Sequence, residues 1–249
     1  MIERLQNLNN LPFDNAVQSL KLKIGDCQAH YLKAGNGPPV VLLHGGASDS
    51  RDWLGIMAAL NPSYTIYAPD LAGYGLSDRD DNGYYLSDFI EFTMEFIRTL
   101  GLDSHILVGH SIGGRVGLEI ALRHPEMVSK LVLIDTVGFC KLSFLGGFLG
   151  AVAWGVRNLL RRPQPYPRFL KQKGEDRNWR CLDELPSLNV PTLIVWNSRD
   201  PYYPVSGALK AKELIPEARL EIFQGFGHAP HIQNGESFKN LLLGFLNHE

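Results

Sequence analysis

The apolar and polar positions of this chain fall into two periods, and the change from one to the other divides it into elements. Residues 17–24 alternate apolar and polar, the pattern of a half-buried edge strand. Gly25-Asp26 marks a hairpin turn into a returning strand over residues 28–33. Beyond the loop Gly35-Asn36-Gly37-Pro38-Pro39 the strands become continuously apolar: Val40-Val41-Leu42-Leu43, Ile106-Leu107-Val108, Leu131-Val132-Leu133-Ile134 and Thr192-Leu193-Ile194-Val195-Trp196. Such runs suit strands covered on both faces. Residues 64–68 and 220–223 complete the set. Between them, apolar residues recur at helical spacing over residues 51–60, 86–100, 206–214 and 238–246, and from Gly114 to the stop before Pro125. Phe89, Phe92, Met94, Phe96 and Ile97 supply the apolar face of the second of these. An initial hairpin followed by alternating strands and helices predicts an α/β fold, a mostly parallel sheet with helices on both faces. Residues 1–16, with Leu5, Leu8 and Leu11 at spacing three, read as a lead-in on the surface.

One interval breaks this rhythm. Residues 142–156 (LSFLGGFLGAVAWGV) are glycine-rich and uncharged; Arg157, Arg161 and Arg162 follow, then Pro163, Pro165 and Pro167. The run is too short for a membrane span. It predicts one or two helices of a lid packed over the core, so residues 137–187 are assigned to a lid and residues 1–136 and 188–249 to the core domain. Two alternatives stay open: a lid whose apolar face lines a substrate pocket, and a membrane-surface anchor using the arginines.

Composition narrows the function by exclusion. A net charge of −2 without a long basic run gives no reason to expect a nucleic-acid partner. Cys27, Cys140 and Cys181 are odd in number and widely spaced, forming neither a disulfide framework nor a metal-ligand cluster. The first residues, Met1-Ile2-Glu3-Arg4-Leu5, lack the charged-then-apolar pattern of a secretory signal. A cytoplasmic, soluble protein is the expectation.

The chemistry is concentrated at Gly109-His110-Ser111-Ile112-Gly113, between an expected strand and an expected helix. A serine at a sharp strand-to-helix turn is a nucleophile elbow, its flanking glycines demanded by the tightness of the turn. The adjoining helix N-terminus favours developing negative charge. The five-residue pattern is weak alone and gains its force from the strand before it and the helix after it.

In its several motifs taken together the chain resembles the α/β-hydrolase superfamily, in the single-domain branch with a lid after the sixth strand. The resemblance runs from about residue 17 to residue 246 and weakens over residues 137–185. It rests on Leu42-Leu43-His44-Gly45-Gly46, on Asp70-Leu71-Ala72-Gly73-Tyr74-Gly75-Leu76-Ser77-Asp78 and on Leu107-Val108-Gly109-His110-Ser111-Ile112-Gly113-Gly114. Val190-Pro191-Thr192-Leu193-Ile194-Val195-Trp196 up to Asp200, and Gly227-His228-Ala229-Pro230-His231, complete it. It implies Ser111 as nucleophile, His228 as general base and Asp200 as the orienting acid, in the chain order Ser…Asp…His. His231 is the alternative base and Asp135, at the end of the preceding strand, the alternative acid. The backbone N–H groups of Ile112 and Gly46 would form the oxyanion hole. His44 is expected to hold its loop, Asp70 and Asp78 to bond within a turn, and Arg51 and Trp53 to pack near the pocket mouth.

These roles describe acyl transfer to Ser111 with a small-molecule substrate, and call for no metal or organic cofactor. Dehalogenases and epoxide hydrolases of this fold need an aspartate where Ser111 stands. Hydrolases of carbon–carbon bonds in aromatic ring-fission products usually place Asn before the serine and Trp after the histidine, where this chain has His110 and Ala229. Prolyl aminopeptidases would need lid acids, and Glu175, Asp176, Asp183 and Glu184 read as a solvated face. Hydrolysis of carboxylic esters with small to medium hydrophobic groups is the expected activity. A carbon–carbon hydrolase, a ligand receptor and a lipid hydrolase retaining the triad are the alternatives, and the oligomeric state stays open.

Overall fold

The computed structural model describes residues 17–79, 84–159 and 181–247. Eight strands form one sheet: β1 (Gln18–Ile24), β2 (Cys27–Ala34), β3 (Pro39–Leu43), β4 (Thr65–Pro69), β5 (His105–His110), β6 (Val128–Ile134), β7 (Thr192–Arg199) and β8 (Arg219–Phe226). Their spatial order is β1-β2-β4-β3-β5-β6-β7-β8. The first hairpin pairs antiparallel and joins β4 antiparallel, and every later pairing is parallel.

The continuously apolar strands are apolar because both faces are covered. Val41, Leu43, Leu107, Leu131 and Leu133 point to one core, closed by α2 (Leu86–Thr99), α3 (Ile112–Arg123) and α5 (Ser206–Leu214). Their neighbours Val40, Leu42, Ile106, Val108 and Val132 point to the other, closed by α1 (Leu54–Leu60) and α6 (Gly235–Asn247). The period of two along each strand supplies both layers. From β3 the chain moves outward to β4 on one side and crosses to β5 on the other. The sheet's switch point therefore lies between the carboxyl ends of β3 and β5, where open α/β sheets place their crevice. Ser111 follows β5 there.

The expected elements form with small shifts at their ends. The helix expected over residues 51–60 opens as a 3-10 turn, Ser50–Trp53, with the Asp49 carboxylate accepting from the Arg51 N–H, before α1 begins. Residues 144–156 of this stretch lie within a single helix, α4 (Phe144–Leu159), which Leu142 and Ser143 precede. The expected packing of these residues down onto the core is not met, since Phe144 is 94 % and Phe148 60 % exposed. Only Gly146 among the described α4 residues is buried. Cys181 is buried with Leu185 and Leu188. Asp183 and Glu184 are exposed, as expected of a solvated face. Residues 1–16, Arg161, Arg162, the three prolines and the acids at 175 and 176 lie outside the described residues. No helix among the described residues is long and apolar enough to cross a membrane.

Candidate active site

The turn that carries Ser111 is built by exclusion of side chains. Ser111 has φ 53° and ψ −112°, a conformation L-residues avoid. The tightness that forces it shows in the flanking glycines. A Cβ on Gly109 would lie 2.4 Å from the Gly113 carbonyl oxygen, one on Gly113 2.3 Å from the Leu43 carbonyl oxygen, and one on Gly114 2.3 Å from Thr136 Oγ1. Strand, turn and helix can approach this closely only without side chains at those positions. The result lifts Ser111 above the sheet at the head of α3, with no side-chain cap on the helix N-terminus.

Three side chains then form one hydrogen-bonded chain. The Ser111 hydroxyl lies 2.9 Å from His228 Nε2, and His228 Nδ1 lies 2.7 Å from Asp200 Oδ2. With Nδ1–H donating to the carboxylate, Nε2 is left as the acceptor for the serine proton. Asp200 is fixed by its other oxygen, which accepts from the Tyr202 N–H at 2.7 Å. The Asp200 side chain is fully buried, while that of His228 keeps 19 % exposure.

A second carboxyl stands behind this chain. Asp135, also fully buried, has Oδ2 at 3.9 Å from His228 Nδ1. Its Oδ1 accepts from the Asn197 N–H at 3.0 Å, and Oδ2 has no partner. Burial, reinforced by the charge of Asp200, pushes the Asp135 pKa up to about 9, against a smaller lowering by the Asn197 N–H. Asp135 is therefore a neutral acid at pH 7, which leaves Asp200 as the partner of the imidazole.

The loop bearing His228 is clamped by residues that carry no chemistry themselves. His110 Nε2–H donates to the His228 carbonyl at 2.5 Å. Asn197 Nδ2 donates to the Gly227 carbonyl at 3.2 Å and to Gln233 Oε1 at 2.7 Å. Gln233 Nε2 in turn donates to the Phe226 carbonyl. His231 is sandwiched, with its ring 4.6 Å from those of both Trp53 and His110, and neither of its nitrogens has a partner. Burial, then the nearby His228, lowers its pKa to about 3. Burial, with His231 and His228 beside it, also holds His110 well below the usual imidazole range. Both are neutral packing groups.

A matching set of bonds shapes the loop after β3. His44 Nε2 accepts from the Leu71 N–H and its Nδ1–H donates to the Gly45 carbonyl, both within 2.9 Å. A Cβ on Gly45 would meet His110 Nδ1 at 2.5 Å and Ser111 Cβ at 3.3 Å. Gly46 thus follows a residue pressed against Ser111, and Ile112 opens α3 on the other side. Asp70 is a structural hub: it accepts from His30 Nδ1–H and from the Ser50 and Leu76 N–H groups. Burial works to raise its pKa, but the His30 hydrogen bond and the remaining donors outweigh it, and the net shift is downward. Asp78 accepts from the Gln28 N–H.

A profile of the α/β-hydrolase fold family matches residues 38–162, half of the chain. The protein belongs to the α/β-hydrolase family. The chain is 28 % identical to a 2-hydroxymuconate semialdehyde hydrolase of Pseudomonas putida, over 85 % of this chain and 88 % of that one. Among solved structures, a bacterial membrane phospholipase A superposes with a TM-score of 0.79 at 25 % identity, covering 93 % of this chain and 86 % of its own. A Bacillus subtilis carboxylesterase superposes with the same TM-score of 0.79 at 23 % identity, over 94 % and 93 % of the two chains, a likeness of fold.

In this α/β-hydrolase the residues singled out from the sequence are brought together with few exceptions. Ser111, His228 and Asp200 meet in one chain, while His231 and Asp135 stand behind it. Trp53 is core, and Arg51 is held at the surface by Asp49. What the sequence did not single out is the clamp of His110, Asn197 and Gln233. The one signal for it was the place of His110 beside the nucleophile. Cys27, Cys140 and Cys181 are all free thiols. His110, Asp135 and His228 offer donor atoms within 4.8 Å of one another. Both nitrogens of His228 are already engaged, His110 Nε2 is bonded to a carbonyl and Asp135 carries a proton. The group fits a hydrogen-bonded cluster better than a metal centre.

Proposed function

We propose that this protein is a serine hydrolase acting on carboxylic esters of small to medium hydrophobic groups, through an acyl-enzyme. The observation that carries the reading is the unbroken chain from Ser111 Oγ through His228 to Asp200, at 2.9 and 2.7 Å. As Ser111 Oγ attacks the ester carbonyl, His228 Nε2 takes its proton, and Asp200 steadies the imidazolium so formed. The backbone N–H groups of Ile112 and Gly46 receive the charge that builds on the carbonyl oxygen. The alcohol leaves with the proton returned by His228. Water, deprotonated by the same nitrogen, then attacks the acyl-enzyme and frees Ser111. No step calls for a metal or an organic cofactor, and the partner is the small-molecule ester itself.

The rings of Tyr202 and Tyr203, 4.9 and 5.6 Å from that of His228, favour an apolar substrate group beside the base. Residues 137–187 form the lid insertion of this reading, and three free thiols fit a reducing cytoplasm. Steady-state hydrolysis of p-nitrophenyl esters of increasing acyl length, wild type beside Ser111→Ala, tests it. Loss of the nucleophile is expected to lower turnover by several orders of magnitude. Equal rates would remove the ester reading.

Carbon–carbon bond hydrolysis is the second reading, favoured by the likeness to the Pseudomonas putida hydrolase. Against it, the residue before the nucleophile is His110, whose Nε2–H is committed to the His228 carbonyl and is not offered to a substrate. Decay of the absorbance of a dienoate ring-fission product, with p-nitrophenyl esters left intact, would reverse the ranking.

A further inference from the structure

We propose that Ser19, on the end strand β1, is a reactive serine separate from Ser111, a site that takes an acyl group from small activated acyl donors. It shares no residue with the Ser111 site, and it stands or falls independently of the ester reading.

The first observation is a second hydrogen-bonded chain from a serine through a histidine to an aspartate. The Ser19 hydroxyl lies 2.8 Å from His30 Nε2, and His30 Nδ1 lies 2.7 Å from Asp70 Oδ2. The corresponding distances at Ser111 are 2.9 and 2.7 Å. The three residues come from β1, β2 and the end of β4.

The surroundings fix where the protons lie. Asp70 Oδ1 accepts from the Ser50 N–H at 2.7 Å, and Oδ2 accepts from the Leu76 N–H at 2.8 Å. Burial of this carboxyl is outweighed by the His30 bond and those donors, so it stays ionised at pH 7. His30 Nδ1 must then carry the ring proton, which leaves Nε2 to accept from the Ser19 O–H. That is the tautomer a general base for a hydroxyl needs. The backbone holds the ring in place. The His30 N–H donates to Ser77 Oγ at 2.9 Å, and the His30 carbonyl accepts from the Asp70 N–H at 2.9 Å. The Ser77 hydroxyl donates in turn to the Asp70 carbonyl at 2.7 Å.

Burial shields the base and leaves the hydroxyl open. His30 is 4 % and Asp70 2 % exposed, while Ser19 is exposed. A hydroxyl that only satisfied a buried imidazole need not be reachable, and this one is reached from solvent. Lys21 shares the face of Ser19 and stands opposite His30 in the β1–β2 register. It brings a cation to the face on which charge would build on an acyl oxygen.

The step is a simple transfer. As Ser19 Oγ bonds to the acyl carbon, its proton passes to His30 Nε2. The bond from that carbon to the leaving group breaks, and the leaving group departs with the electron pair. The donor must carry a good leaving group, as acyl phosphates, thioesters and nitrophenyl esters do. An exposed strand face gives little binding energy to drive out a poor one.

The test treats the Ser111→Ala protein with p-nitrophenyl acetate and maps acetyl groups by peptide mass. Hydroxylamine, which strips esters and spares amides, separates serine adducts from lysine adducts. The ester at Ser19 is expected to form at least about tenfold faster than at Ser87, Ser104 and Ser187, which are exposed on the same molecules. Unfolding in urea should erase that advantage. His30→Gln in the same background should slow labelling of Ser19 by about tenfold or more and leave the other three serines unchanged. A smaller advantage in the folded protein overturns the proposal, as does one that survives urea or His30→Gln. An adduct on Lys21 without one on Ser19 overturns it too. Because the serines are compared within one folded chain, a His30→Gln protein that fails to fold leaves the first comparison decisive.

Discussion

Glycine does opposite work in two regions of this molecule. At the elbow, Gly109, Gly113 and Gly114 each sit where a Cβ would lie within 2.4 Å of a neighbouring oxygen. In α4, Gly150 and Gly155 have nothing within 4 Å of the space a Cβ would take. The elbow uses the missing side chain to bring β3, β5 and α3 together and to hold Ser111 at φ 53°. The insertion helix uses no such closeness beyond its first turn. One region is fixed from all sides, and the other, among the described residues, meets the body at its first turn. The chemistry sits on the first, as precision in a site requires.

The largest way to sharpen that contrast is through the acid. Asp200→Asn should lower kcat/KM for p-nitrophenyl esters by about 10³–10⁴-fold, because the imidazole loses the partner that fixes its tautomer and its charge. Asp135→Asn should stay within about tenfold, since the carboxyl it replaces is already neutral and 3.9 Å from the base. The reverse ranking would make Asp135 the working acid.

A smaller effect separates the glycines themselves. Gly113→Ala drives a methyl to 2.3 Å from a backbone oxygen that no side-chain rotation relieves. A loss of about 3 kcal/mol or more is expected, read as a fall in the urea midpoint, with activity lost alongside. Gly150→Ala should instead be neutral or raise stability by up to about 1 kcal/mol, the difference in helix propensity. Equal losses at both positions would mean that α4 is packed as tightly as the elbow.

The same contrast explains what could be read from the sequence. The central strands were legible as continuous apolar runs because burial on both faces leaves no polar positions to obscure them. The elbow was legible because its geometry dictates glycine at fixed offsets from Ser111. His228 and Asp200 could be placed from their motifs, but the preference for Asp200 over Asp135 rests in space on 2.7 against 3.9 Å, which no spacing encodes. The clamp was hidden for a similar reason. His110 bonds a carbonyl 118 residues away, and nothing local in the sequence marks such a bond. The exposure of Phe144 and Phe148 was not legible because an apolar helix is ordinarily a buried one, and periodicity reports which side is apolar without saying what faces it.

A pH-dependent effect probes how much charge the rigid region tolerates. Asp135 carries its proton up to about pH 9 in the fold, whereas in the unfolded chain it releases that proton near 3.8. Between those values the folded state binds more protons than the unfolded, so the contribution of Asp135 to stability falls as pH rises, by at most about 1.4 kcal/mol per pH unit. Asp135→Asn keeps an oxygen for the Asn197 N–H and has no proton to lose. Its melting temperature should therefore gain on wild type as pH rises from 5 to 8, by up to about 3–6 °C per pH unit for a chain of this length. His110 and His231 are unchanged in the variant, and their effect lies on the acid side, where the unfolded chain takes up protons that their buried rings refuse. Thermal melts of the two proteins across that range decide the matter. Parallel curves would mean that Asp135 ionises in the fold, and that the site holds two carboxylates against one imidazole.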